Sequence, residues 1–407
     1  MSAAAGHLQH IYENRELTFK ELKEILTLAS AGKLEETTEK FDGMNLMFTW
    51  DFVTNSLRVA RADGDIKRGG MNSKALSEKF SGRGNISEAF NTAFKVLRGA
   101  LSALSSTEKQ RIFGTSRNRW YSSEVIYTKN PNVINYDCNA VTLHKWPVKS
   151  IIGERVVVID APEGIEVMLE NVNKMQRALS QSAWKISGPR VTQLQKLSNG
   201  IFLKESINAL DLAMSRAGVT DINTIGDYYR ALIHENVLDL MLSQSVSEMI
   251  VSRCMEDAYA PTLIDIKKCV NKSEYITVRQ FVENYPKLAK EHARHIELVI
   301  NDFAVELLKG LSSTLIHDTF KEVSRIKEAV QNAIESIESS CSDAAMVILG
   351  TQIAKLKSVE NITTPMEGVV FVYKGNAYKF TGNFAAVNQI LGLFKYGRGE
   401  TKLKMNS

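Results

Sequence analysis

Seven consecutive residues, Glu39-Lys40-Phe41-Asp42-Gly43-Met44-Asn45, set a lysine where a strand-like run enters an Asp-Gly turn. A primary amine in such an exposed place could act as a nucleophile. An ordinary lysine has a pKa near 10.4, which leaves roughly one amine in 2,500 neutral at pH 7. Burial or neighbouring cations must lower that value before the amine can attack. Cations stand close in sequence at Arg58, Arg61, Lys67 and Arg68, and far away at Lys374 and Lys379. Two carboxylates occupy apolar stretches: Glu124 within Trp120-Tyr121-Ser122-Ser123-Glu124-Val125, and Glu367 within Met366-Glu367-Gly368-Val369-Val370-Phe371. An unpaired carboxylate in an apolar strand is costly, which favours a functional role for Glu367 over a packing role. Lys379, in Tyr378-Lys379-Phe380-Thr381-Gly382, reads equally well as a solvated strand residue.

Taken in order, these stretches resemble the covalent nucleotidyltransferase superfamily of ATP-dependent DNA ligases, RNA ligases and mRNA capping enzymes. The superfamily's signature is KxDG, then a strand glutamate, then EGxV, then a lysine strand. The resemblance implies that Lys40 attacks the α-phosphorus of ATP, expels pyrophosphate and holds AMP through a phosphoramide bond. Asp42 and Gly43 would shape the turn, with Asp42 near the sugar or metal, and Glu39 would meet the adenine. Arg61 matches the phosphate-contacting arginine, with Arg58 and Arg68 as alternatives. By the same resemblance Glu124 would bind the ribose, Glu367 a catalytic Mg²⁺, and Lys379 the charge on the α-phosphate. Asn45, two residues after the motif glycine, is similar to double-strand-sealing RNA ligases, whereas DNA ligases and capping enzymes carry arginine there.

The match is incomplete. Thr381 stands where ligases usually place a second lysine, and Lys374 in the preceding turn is the candidate substitute. After Gly382 only 25 residues remain, too few for the oligonucleotide-binding barrel of DNA ligases and capping enzymes. The resemblance therefore implies an ATP-dependent polynucleotide ligase, RNA preferred over DNA, of the compact kind frequent in large bacteriophages. Two other readings stay open: a nucleotidyltransferase with a protein or cap-like acceptor, and a decayed, non-enzymatic interaction protein.

The elements that must position these groups can be read from periodicity. Thr18 with Glu21 forms a capping box ahead of Leu22, Ile25 and Leu26, which predicts a short leading helix. From Thr38 onward, short runs broken at Asp42-Gly43, Asn55-Ser56 and Asp63-Gly64 predict strands and tight turns. Residues 73–104 read as helical; residues 121–127, 140–146 and 155–159 read as strands. Residues 149–361 otherwise show nearly continuous helical spacing, before strands return at 367–373 and 377–381 around the turn Lys374-Gly375-Asn376. The expected architecture is α+β: an antiparallel-sheet adenylation core (1–148 and 362–407) interrupted by a large, separately folded helical insertion (149–361).

Composition narrows the remaining classes. Of the 407 residues 44% are apolar and 24% charged, which excludes a disordered or fibrous chain. No apolar run approaches the roughly 20 residues of a membrane span, and the first ten residues do not read as a secretory signal, so a cytoplasmic location is expected. A net charge of +4 does not by itself indicate nucleic acid. The stretch from Phe394, with Lys395, Arg398, Lys402 and Lys404, offers a basic tail for a nucleic-acid strand. A protein partner through the helical insertion is the other expected contact. The four cysteines, too far apart for a CxxC or zinc motif, are expected as reduced thiols. His292 and His295 are expected on a solvated helical face. Gly64–Gly70 fails as a phosphate loop because Gly70 occupies the lysine position.

Overall fold

The leading helix α1 (Phe19–Ser30) starts at its expected cap. The Glu21 N–H donates to Thr18 Oγ1, and the Glu21 carboxylate accepts the Thr18 N–H at 3.0 Å. The computed structural model describes residues 8, 10–115, 119–189, 192–198, 200–256, 270–338, 343–362 and 365–397, folded as α+β with antiparallel sheets. The basic stretch from Phe394 onward lies outside the residues whose side chains are described, as do Cys269 and Cys341; Cys138 and Cys254 are free thiols.

The smaller sheet has the order β1 (Glu35–Lys40), β8 (Gly368–Tyr373), β9 (Asn376–Phe380). β1 runs antiparallel to β8 with Lys40 opposite Gly368, so distant parts of the chain complete one sheet. β8 and β9 are joined by Lys374-Gly375, both at positive φ (48° and 78°), as a two-residue type I′ turn requires. The larger sheet comprises β2 (Met44–Asp51), β3 (Ser56–Ala60), β4 (Trp120–Ile126), β5 (Asn139–Ile152) and β6 (Arg155–Ile159), in the order β3-β2-β4-β5-β6. One face of it packs on α4 (Asn85–Ser102), where Phe90, Phe94 and Leu97 meet Leu46, Phe48 and Val125. Helix α3 (Ser73–Lys79) precedes α4, and the two are separated by Gly82 and Gly84 at positive φ.

The structure departs from the sequence reading in several places. Asp63-Gly64 opens a short helix, α2 (Asp63–Lys67), instead of a tight turn. The boundary at 148 falls inside β5, and β6 continues its sheet. Beyond α5 (Ser106–Phe113), α6 (Pro162–Glu170) and α7 (Val172–Arg177), strand β7 (Trp184–Ser187) returns to pair parallel with Asn139–Thr142 of β5. Four residues are too few to show a period, which is why β7 is hidden in the pattern. His292 is buried, and its Nε2 lies 3.2 Å from Asn236 Nδ2, so it does not sit on a solvated face.

Among the described residues the further α-helices are α8 (Ile201–Arg216), α9 (Ile225–Leu238), α10 (Gln244–Glu256), α11 (Glu274–Leu308), α12 (Thr319–Glu338), α13 (Asp343–Leu356) and α14 (Phe384–Gly397). They do not form a unit apart. Ile296, Ile300 and Phe303 of α11 share one core with Leu22 and Ile25 of α1 and with Val369, Phe371 and Phe380 of the small sheet. Ile326 and Val330 of α12 share another with Phe41, Ile126 and Ile134. Among the described residues only the outer part, where α9, α10 and the start of α11 meet, has a core of its own, built on Ile233, Ile250, Val278 and Tyr285. Among the described residues no helix is long and apolar enough to cross a membrane.

Candidate active site

β1 ends at Lys40 and the chain turns through Asp42-Gly43 into β2, so this turn joins the edge strand of the small sheet to an inner strand of the large one. Close packing fixes the glycine. A Cβ on Gly43 would lie 2.7 Å from Ile126 Cδ1, 2.8 Å from Glu124 Cγ and 2.8 Å from the Val125 carbonyl oxygen. Across the small sheet, a Cβ on Gly368 would strike the Phe380 carbonyl oxygen at 2.1 Å. Both glycines allow backbone to approach where any larger residue would push a strand away.

Between the sheets lies an open cleft of about 720 Å³, solvent included, lined by Thr38 and Lys40 of β1, Asn45 of β2, Glu124 of β4, His144 and Trp146 of β5, and Val370 of β8. The pairing of β1 with β8 carries Glu367 to Lys40, and Lys40 Nζ donates to Glu367 Oε1 although the two are 327 residues apart in the chain. Burial opposes the Lys40 charge, but the carboxylates of Glu367, Glu124 and Asp42 outweigh it and hold the ammonium above its ordinary pKa. Burial pushes the Glu367 carboxyl up to about 7, against the attraction of Lys40. Lys379, on β9 opposite Val370, is almost fully buried; burial first, and the Lys40 charge second, bring it down to about 8. Glu124 faces both Lys40 and Arg61, and its Oε2 lies 3.3 Å from His144 Nε2.

The other sequence candidates distribute as follows. Asn45 stands opposite Glu124, and its Nδ2 donates to Ser122 Oγ at 2.6 Å. Arg61 donates from Nη1 to the Asn45 carbonyl oxygen and lies over the Phe90 ring, 4.7 Å from its centroid. Arg58 is paired with Asp51 at 3.2 Å and Arg68 with Asp65 at 2.7 Å, which leaves Arg61 as the arginine at the turn. Lys374 is not at the site. It occupies the far hairpin turn, paired with Glu21 at 2.8 Å, about six strand residues and so roughly 20 Å from Lys40. Glu39 points away from the cleft because neighbours along a strand face opposite sides; its Oε2 accepts the N–H and hydroxyl of Thr314 at 3.1 and 2.7 Å. Thr381 is buried, and its hydroxyl has no hydrogen-bond partner among the described residues.

Asp42 is tied to the loop after β4. Its carboxylate accepts Asn132 Nδ2 at 2.7 Å and the N–H groups of Val133 and Ile134 at 2.8 and 2.9 Å; its own N–H donates to the Tyr136 hydroxyl oxygen at 2.7 Å. Burial raises the Asp42 carboxyl and these three donors oppose the rise. The same loop is gripped from behind by α12: Glu322 Oε1 accepts the Asn135 N–H at 2.8 Å, and Arg325 Nη2 donates to the Val133 carbonyl at 2.5 Å. Sequence reading passed over this strap, since contacts across 187 and 192 residues leave no local signal. It also passed over His144 and Trp146, whose alternation on β5 was the available sign.

Among the described residues no three His, Cys, Asp or Glu side chains gather into a metal cage. Mg²⁺ needs none: it is held through one or two carboxylates together with substrate phosphates and water, and the hard oxygen of Glu367 fits that donor set. No protein-family model, curated protein or solved structure matches this chain.

Proposed function

We propose that the chain is an ATP-dependent polynucleotide ligase, RNA preferred, that works through lysyl-AMP on Lys40. The observation that carries this reading is that Lys40 and Glu124 line one cleft between the sheets, while Glu367, bonded to Lys40, and the buried Lys379, close enough to feel the Lys40 charge, stand behind them from the other end of the chain. Packing does not require two lysines and two carboxylates there, and each charge is costly to bury.

In the resting protein Lys40 is an ammonium held by Glu367, which protects it from reaction. Glu367 is the residue that would hold Mg²⁺, whose chemistry there is to neutralise the phosphates. Once Glu367 turns from Lys40, the largest charge holding the ammonium is withdrawn; burial and the neighbouring Lys379 then work against Glu124 and Asp42 towards the neutral amine, whose proton leaves to solvent through the open cleft. Lys40 Nζ then forms a bond to the α-phosphorus, and the bond to the pyrophosphate oxygen breaks. Lys379 stabilises the negative charge on the α-phosphate as the pentacoordinate state forms, and Glu124 orients the ribose. A terminal 5′-phosphate oxygen next attacks that phosphorus; the N–P bond breaks and Nζ regains a proton. A 3′-hydroxyl oxygen finally forms a bond to the 5′-phosphorus of the adenylylated strand and gives up its proton to solvent, the P–O bond to AMP breaks, and the strand is joined.

The test is incubation of the purified chain with ATP labelled in the α-phosphate and Mg²⁺. Acid-labile label on Lys40, stronger than with GTP, is expected. An unlabelled chain, or label on another residue, ends the assignment.

A further inference from the structure

A second open cleft, about 830 Å³ with solvent included, lies on the other side of the Asp42-Gly43 turn, against the helical face of the large sheet. Two arginines line it, Arg61 and Arg83. Arg61 lies over Phe90 and Arg83 over Phe80, at 4.7 and 5.6 Å from the ring centroids, and the two rings are 4.6 Å apart. Neither guanidinium forms an ion pair among the described residues, although Arg61 is half-buried. The one carboxylate in the lining, Asp42, is already taken by three donors. Asn130 and Asn132 line the same space, Asn132 with its Nδ2 already given to Asp42, and the N-terminus of α4, which no side chain caps and whose first-turn Glu88 is paired with Lys129, lies at the rim. Glu124 and Asp65 lend Arg61 negative charge from nearby without an ion-pair contact, which leaves its guanidinium edge open to a directly bound anion, and paired guanidinium forks match phosphate oxygens.

We propose that this cleft binds the 5′-phosphorylated end of a single RNA strand, with Arg61 and Arg83 holding its phosphates. The proposal rests on the transfer reading above and names where the second substrate enters. Arg61 joins the two clefts: its guanidinium faces the second, while its bond to the Asn45 carbonyl fixes it against the wall of the first. A phosphate held there comes up to the Asp42-Gly43 turn from the side opposite the nucleotide. Arg83 rides between Gly82 and Gly84, both at positive φ with open space around them, so its side chain is carried over Phe80 without crowding.

Fluorescence anisotropy of the full chain with a labelled oligoribonucleotide of about ten nucleotides, with and without its 5′-phosphate, tests this. The phosphorylated strand should bind about tenfold more tightly than the 5′-hydroxyl strand. Arg83→Ala should erase that preference, and Arg83→Lys should keep part of it. Arg83 is exposed, so neither variant threatens the fold. Equal binding of the two strands, an undiminished preference in Arg83→Ala, or inorganic phosphate binding as tightly as the phosphorylated strand would overturn the assignment. Labelling of the unaltered chain by ATP is measured separately. Labelling without strand preference removes this proposal and leaves the transfer reading; strand preference without labelling sustains the cleft and removes the transfer reading.

Discussion

On one side of the turn at residues 40–43 the buried Asp42 carboxylate is met by three donors, and its loop is held again by Glu322 and Arg325. On the other side Lys379 is as deeply buried with no ion-pair partner among the described residues, and Lys40 and Glu367 share a single contact. The Asp42 charge has donors on both oxygens, which oppose but do not cancel the cost of its burial. On the proposed reading the Lys379 side awaits a ligand, so its charge is left with fewer partners at a cost in stability. The two sides should therefore respond in opposite ways to loss of a charge: the Asp42 side by weakening the fold, the Lys379 side by strengthening it while losing chemistry.

The largest effect is expected where the satisfied side is stripped of its support. Replacing residues 149–360 with a flexible linker removes β6, β7, the α12 strap and the α11 face that covers Phe371 and Phe380. The shortened chain should lose cooperative unfolding altogether, read by circular dichroism on heating. A soluble, folded remnant would show that the helices are dispensable to the core. On the reactive side, Lys40→Met should remove all label from ATP while the chain stays folded. Glu367→Gln keeps the shape and a hydrogen-bond acceptor but not the charge, and should slow labelling by about 10²-fold or more. A near-normal rate in that folded variant would reduce Glu367 to a structural partner of Lys40.

The parts of this contrast legible in the sequence were those that break a local pattern. Lys40 beside Asp-Gly, Glu124 in an aromatic run and Glu367 ahead of a Val-Val-Phe strand stand out because apolar strands do not ordinarily carry charge. Thr18 with Glu21 and Lys374-Gly375 announce their cap and turn through residue chemistry alone. What covers an apolar helix face is not written in its period: Ile326 and Val330 have the same spacing whether they pack on other helices or, as here, on Phe41 and Ile134. Reading 149–361 as a separate unit failed for that reason. Lys374 drew interest as a cation near the last motif, and only the register shows it at the opposite end of the strands, on Glu21.

The satisfied side offers a smaller, purely thermodynamic test. Asp42→Ala leaves the Val133 and Ile134 N–H groups buried without their acceptor and should lower stability by about 3 kcal/mol, seen as a lower denaturant midpoint with an unchanged slope. If the variant is as stable as the parent, water replaces the carboxylate and the turn is not held as described.

The smallest effect has the opposite sign. Burial and the Lys40 charge lower Lys379 from 10.5 to about 8, so near pH 7 the folded protein carries a proton that the unfolded chain would hold more tightly. At about 1.4 kcal/mol for each pKa step, that strain is worth on the order of 3 kcal/mol. Lys379→Met, which keeps the length and the apolar stem, should raise stability at pH 7 by about 1–2 kcal/mol once imperfect repacking is allowed for. The pH dependence fixes the cause. Between pH 8 and 10.5 the unfolded chain binds more protons at this position than the folded one, so the parent should gain stability as pH rises through that window, and Lys379→Met should lose that gain. Glu367 cannot imitate this, since its carboxyl, raised to about 7, makes stability fall as pH rises from about 4.5 to 7. Denaturant melts of parent and variant at pH 7 and 10 separate the two groups. A destabilised Lys379→Met with an unchanged pH slope would mean that the buried ammonium is as well satisfied as Asp42, and the contrast between the two sides of the turn would collapse.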